Sequence, residues 1–158
     1  MSPSRVESIM ENLRVTLQAI PEVRKVVLEA PRESETIKPA LLPHVWCWEN
    51  PLPAPTNAGT DLLECALPVS IEVVYDDKNG LRTEGRKWVA RIQAALAKDI
   101  GRGRDEGVSA ALAIDTADQG SVIAPMPAQG FGCAHLEYLI TYNRHFKNPY
   151  GLTPPVAA

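Results

Sequence analysis

The chain has no apolar run approaching the roughly 18 residues that a bilayer-spanning helix requires, so no transmembrane segment is expected. Its start, Met1-Ser-Pro-Ser-Arg-Val-Glu7, lacks the basic opening and apolar centre of a secretory signal. Cysteine is scarce: three residues, Cys47, Cys65 and Cys133, cannot all pair, which argues against a disulfide framework and for a reducing compartment. There is no excess of positive charge. A net charge of -3 and a pI of 5.6 argue against a protein built mainly to coat duplex nucleic acid. Glycine and proline together make up about 15% of the 158 residues, below the roughly 25–30% of low-complexity chains. No internal repeat, Walker motif or nucleophile elbow occurs. What is present is enough Leu, Ile, Val and Phe, about a quarter of the chain, to bury one core.

Helical periodicity is clearest at the start. Ser4 and Glu7 form a capping-box pattern, and Val6, Ile9, Met10, Leu13, Leu17 and Ile20 then recur on one arc until Pro21. A short Val-rich strand is expected over 24–30, a polar loop over 31–39, and a second strand over 43–49. Residues 50–60, with three prolines, read as a loop. From Leu67 the alternation of Leu67, Val69, Ile71 and Val73 marks a strand with one buried face, and Pro68 places it at a strand start or an edge. Asp76–Gly80 is a turn, and a second helix is expected over 83–99 with Trp88, Val89, Ile92, Ala95 and Leu96 inward. The 101–107 segment reads as a mobile charged loop, 111–115 as a weak strand, and 119–130 as a long loop. A last strand over 133–144 places Leu136, Tyr138, Ile140 and Tyr142 on one face. The expected fold is α+β, in the order α-β-β-β-α-β-β. An antiparallel or mixed sheet of four to five strands carries both helices on one face. Residues 1–150 form one domain and 151–158 an extended tail.

Motifs that could carry chemistry are few. Cys133, His135 and Glu137 share a strand face, as a thiol–imidazole–carboxylate set or as an ordinary outer face. His44 and Cys47 with Cys133 and His135 could supply four zinc ligands, but His44 and Cys47 should point to opposite faces. Asp77-x-Asn79-Gly80 imitates a calcium loop without its first and twelfth ligands, and Gly101-x-Gly103 imitates a dinucleotide loop after a helix instead of a strand. No metal and no cofactor is expected. Seven of the sixteen cationic residues fall between 82 and 104: Arg82, Arg86, Lys87, Arg91, Lys98, Arg102 and Arg104. They form either a solvated face or a contact with an acidic partner surface or nucleic acid, and the overall acidity favours a protein partner. Trp46 and Trp48 are expected on opposite strand faces, one in the core and the other covered by a loop or part of an interface.

The layout as a whole resembles the tail terminator (tail completion) proteins of long-tailed bacteriophages, over roughly residues 4–150. The resemblance rests on the amphipathic first helix, the Ile20-Pro-Glu-Val23 turn into a Val-rich strand and the proline-led second strand. It extends through the alternating third strand, the helix Trp88–Leu96, and a closing strand with Tyr142 followed by Asn148-Pro149-Tyr150. The Trp46-Cys47-Trp48 strand and the proline-rich 51–55 segment stand outside the family's pattern. The resemblance implies a virion subunit, assembled in the host bacterial cytoplasm, that forms a hexameric ring on the finished tail tube. Its partners would be itself, the tail tube protein and a neck or connector protein, with DNA only passing through the lumen and no membrane. A neck or head-closure protein is the rival in the same class. A small cytoplasmic enzyme using the Cys133/His135/Glu137 face is the rival in another. The expected subunit or tube contacts are Arg102, Arg104, Asp105, Glu106, Arg91, Lys98 and Trp48. Arg102 and Arg104 are expected to reach outward from their glycine-flanked loop, so that reversing both to glutamate should spare the fold and weaken assembly.

Overall fold

The computed structural model describes residues 3–32, 37–105, 110–126 and 130–153. Its elements are α1 (Arg5–Gln18), β1 (Lys25–Val27), a 3-10 turn (Pro39–Leu41), β2 (His44–Glu49), β3 (Thr56–Gly59) and β4 (Leu62–Tyr75). They continue with α2 (Leu81–Ala97), β5 (Arg104–Asp105), β6 (Ala110–Ala111), β7 (Asp115–Met126) and β8 (Phe131–His145). The main sheet has six strands in the order β1-β2-β4-β8-β7, with β3 also pairing β4. β1 runs parallel to β2 and every other pair is antiparallel, so the sheet is mixed and the α+β expectation stands. β5 and β6 form a separate two-stranded ribbon.

The capping box forms as its residues predict. Ser4 Oγ accepts from the Glu7 amide at 3.1 Å, while the Glu7 carboxylate accepts from the Ser4 amide at 2.7 Å. The Arg5 amide donates to the Pro149 carbonyl at 3.1 Å, which ties the start of α1 to the segment leaving β8.

Both helices lie on one sheet face, over a single core. Ile9, Leu13 and Leu17 of α1 join Trp88, Ile92 and Leu96 of α2 against Val69, Ile71 and Val73 of β4 and Leu136, Tyr138 and Ile140 of β8. Val6, expected inside with them, is only half-buried at the edge of this cluster.

Several boundaries differ from the sequence reading, each for a physical reason. β4 begins at Leu62, five residues before the alternating pattern, and Pro68 therefore sits mid-strand. The Pro68 carbonyl accepts from the Asn50 amide at 2.9 Å, just past the end of β2 at Glu49. N–H and C=O of one strand residue point to the same side, so the donor that proline lacks faces a flank no strand occupies. The expected loop over 50–60 contains β3, and the expected loop over 119–130 is largely β7. Both are largely exposed on both faces and show no apolar alternation for the period to reveal. β7 also bulges between Asp118 and Gly120, where Gly120 has φ 117°. The strand expected over 111–115 is reduced to Ala110–Ala111 and the first residue of β7. At the other end, the His145 amide donates to the Gly151 carbonyl at 2.8 Å and Asn148 Nδ2 to the Thr153 carbonyl at 2.8 Å. Residues 151–153 thus fold back on the end of β8, and 154–158 lie outside the described residues.

Three of the four tyrosines belong to this core. Burial pushes the Tyr75, Tyr138 and Tyr142 phenols up from 10 to about 12, with nearby groups such as Cys133, Asp118 and Cys65 adding to it. The unfolded chain therefore loses these protons first, and stability falls as pH rises from 10 towards 12. In a spectrophotometric titration, tyrosinate absorbance from these three residues should develop near pH 12 in the native protein and near pH 10 in urea. Coincident native and denatured titrations would contradict the core arrangement.

Candidate interaction site

The helix-free face of the sheet carries the cysteine–histidine–glutamate set. Cys133, His135 and Glu137 do share a face of β8, and register places Glu72 and Ser70 of β4 directly beside them. His135 Nε2 lies 2.5 Å from Glu137 Oε1, and His135 Nδ1 lies 4.0 Å from Glu72 Oε2. Ser70 Oγ contacts both Glu137 oxygens at 2.9 Å and accepts from Asn50 Nδ2 at 2.8 Å. Cys133 Sγ donates to Glu72 Oε1 at 2.8 Å. Sequence spacing along β8 could not reveal Glu72, Ser70 and Asn50, because they arrive from other segments.

The Cys133 thiol is held in its protonated form in this cluster. A catalytic thiol needs its base within hydrogen-bond reach and a lowered pKa. Here burial and the Glu72 carboxylate push the Cys133 thiol well above the ordinary range. The imidazole and the Ser70 hydroxyl both bond the Glu137 carboxylate, and neither bonds the thiol. His44 and Cys47 lie on opposite faces of β2, His44 against the Trp46 ring at 4.4 Å and Cys47 in the core. Among the described residues no three of His, Cys, Asp and Glu converge to hold a metal ion.

Trp46 and Trp48 are two residues apart and share the helix-free face, which corrects the expectation of opposite faces. Trp46 is buried with Ile37 and Val74, while Trp48 is half-buried with its ring edge-on to His135 at 5.9 Å.

The basic segment 82–104 divides into unlike parts. Arg91 stacks over the Trp88 ring at 5.0 Å and its Nη1 bonds Glu22 at 3.2 Å. Lys98 is exposed and makes no ion pair among the described residues. Arg102 corrects the sequence reading outright. It does not reach outward: its side chain is fully buried, and Nη2 donates to the Leu96 and Asp99 carbonyls. The Leu96 carbonyl is one that the end of α2 leaves without a helical partner, and a cation there is favoured by the helix dipole. The Asp99 carbonyl just beyond also accepts from the Arg102 amide at 3.2 Å. The backbone turns to allow this, with Arg102 at φ 54° and Gly103 at φ 84°. The Asp99 carboxylate fixes the same turn by accepting from the Gly101 and Gly103 amides at 3.2 and 2.8 Å. Arg104 and Asp105 form β5, whose backbone pairs with β6, and Glu106 lies outside the described residues.

Among the described residues, surface grooves lie at both ends of α1. The larger, about 490 Å³, runs between the C-terminal ends of α1 and α2, with Ala19, Ile20, Pro21 and Ala94 inside and Arg91, Lys98 and Asp99 at its rim. The smaller, about 200 Å³, lies at the other end of α1, where Val6, Met10 and Leu28 are bordered by Glu7, Glu11 and Glu49.

No protein-family model and no curated protein matches this chain. Among solved structures, a chain described as "Virion of native gene transfer agent (GTA) particle" is similar in fold, with a TM-score of 0.51 at 12% sequence identity. The match covers 88% of this chain and 97% of that one.

Proposed function

We propose that the chain is a structural virion subunit of the phage type that caps the tail tube as a closed ring. The ring, a hexamer by the terminator resemblance, ends tube polymerisation and offers the docking surface for the neck. The observation that carries the reading is a fold shared over nearly the whole length of a chain from a gene transfer agent virion. The surfaces support it. A closed ring needs two different, complementary patches on each subunit. The grooves at the two ends of α1 differ in charge, Arg91 and Lys98 with Asp99 at one and Glu7, Glu11 and Glu49 at the other. β7 leaves its outer edge unpaired among the described residues, a further backbone surface for a partner.

Omission of the protein during particle assembly tests this. Tails of uncontrolled length without heads are expected. Tails of normal length that fail to join heads would instead assign the chain to the neck, and normal particles would refute a virion role.

A further inference from the structure

We propose that neighbouring copies are joined by the proline-rich 50–55 segment of one chain seated in the groove between α1 and α2 of the next. This rests on the ring reading above and names its subunit contact.

The segment Asn50-Pro-Leu-Pro-Ala-Pro55 is almost wholly apolar, yet residues 51–55 are all exposed and Leu52 is 48% exposed. Alternate prolines fix φ, so the segment loses little conformational freedom on docking. The groove offers what such a segment lacks in its own chain. Ala19 and Ala94 are small enough to leave an open apolar channel of about 490 Å³.

The segment cannot fill its own groove. α1 leads through a short turn into β1, which is parallel to β2, so α1 runs antiparallel to β2. The groove thus lies at the His44 end of β2 and the segment leaves its Glu49 end. Glu49 borders the pocket at Val6 and Met10, roughly ten residues up α1 from the groove, about 15 Å along the axis. Charge selects the occupant. Glu49, next to the segment, is exposed and has no ion pair among the described residues, and Lys98 on the groove rim is in the same state. The other rim charges are engaged, Arg91 with Glu22 and Asp99 with the Gly101 and Gly103 amides. A segment docking with Glu49 beside Lys98 pairs these two charges at one contact.

The test uses assembled particles containing an equal mixture of Leu52→Cys and Ala94→Cys chains, treated with a short bis-maleimide. Both positions are exposed, and the native Cys47, Cys65 and Cys133 are buried. Covalent dimers are expected from the mixture and from neither variant alone. Lys98→Glu should lower incorporation by about tenfold or more, and Glu49→Lys in the same chain should restore it. Four results would overturn this contact and leave the ring reading standing. They are particles that contain the chain but yield no dimer, dimers from one variant alone, cross-links from the Ala94→Cys chain to a tube or neck protein, and no rescue by the second charge change. Particles that exclude the wild-type chain would overturn both.

Discussion

Arg102→Glu is expected to destabilise the fold by about 3–5 kcal/mol, the cost typical of breaking a buried charged contact by changing one partner. The guanidinium sits under the end of α2 and donates to the Leu96 and Asp99 carbonyls. A carboxylate there could not donate to them, and its charge would face the negative end of the helix dipole. Burial already disfavours the charged form of Arg102, with the Asp99 charge acting against that shift. An anion in the same place would carry the burial cost without Asp99's help. For a domain stable by about 5–15 kcal/mol this is a large share. The urea midpoint should fall accordingly. A change within about 0.5 kcal/mol, the usual range for surface substitutions, would mean that the side chain is solvated after all.

Leu13→Ala and Ile92→Ala should each cost about 2–5 kcal/mol, since both side chains are fully enclosed and leave cavities the neighbours fill only in part. They lie on different helices in one cluster, so both losses report the same helix-on-sheet packing. Val15 provides the control. It is on α1 as well but 52% exposed, and Val15→Ala should stay within about 0.5 kcal/mol. Equal effects at Leu13 and Val15 in equilibrium denaturation would contradict the assigned helix face.

The parts of the fold legible in the sequence are those where one face is buried and the other wet. α1, α2, β8 and the centre of β4 carry their periods openly because their inward residues meet the core and their outward ones do not. β3 and β7 carry no such period. Backbone pairing holds them at the sheet margins, and pairing leaves no mark on side-chain pattern. Arg102 is illegible for another reason. Between two glycines it has the composition of a solvated loop, and only the left-handed turn at φ 54° brings it back beneath α2. On the helix-free face, Cys133, His135 and Glu137 can be grouped from their spacing, but the carboxylate that holds the thiol protonated comes from β4. Lys98 and Arg91 can be singled out by charge, whereas the groove they border exists only once α1 and α2 are packed together.

Electron cryomicroscopy of intact particles, with this chain labelled at an exposed position such as Leu52, tests the central claim most directly. The proposed role predicts one ring of label per particle, at the head-proximal end of the tail tube and nowhere along it. Label distributed along the tube, or confined to the head shell, would contradict it.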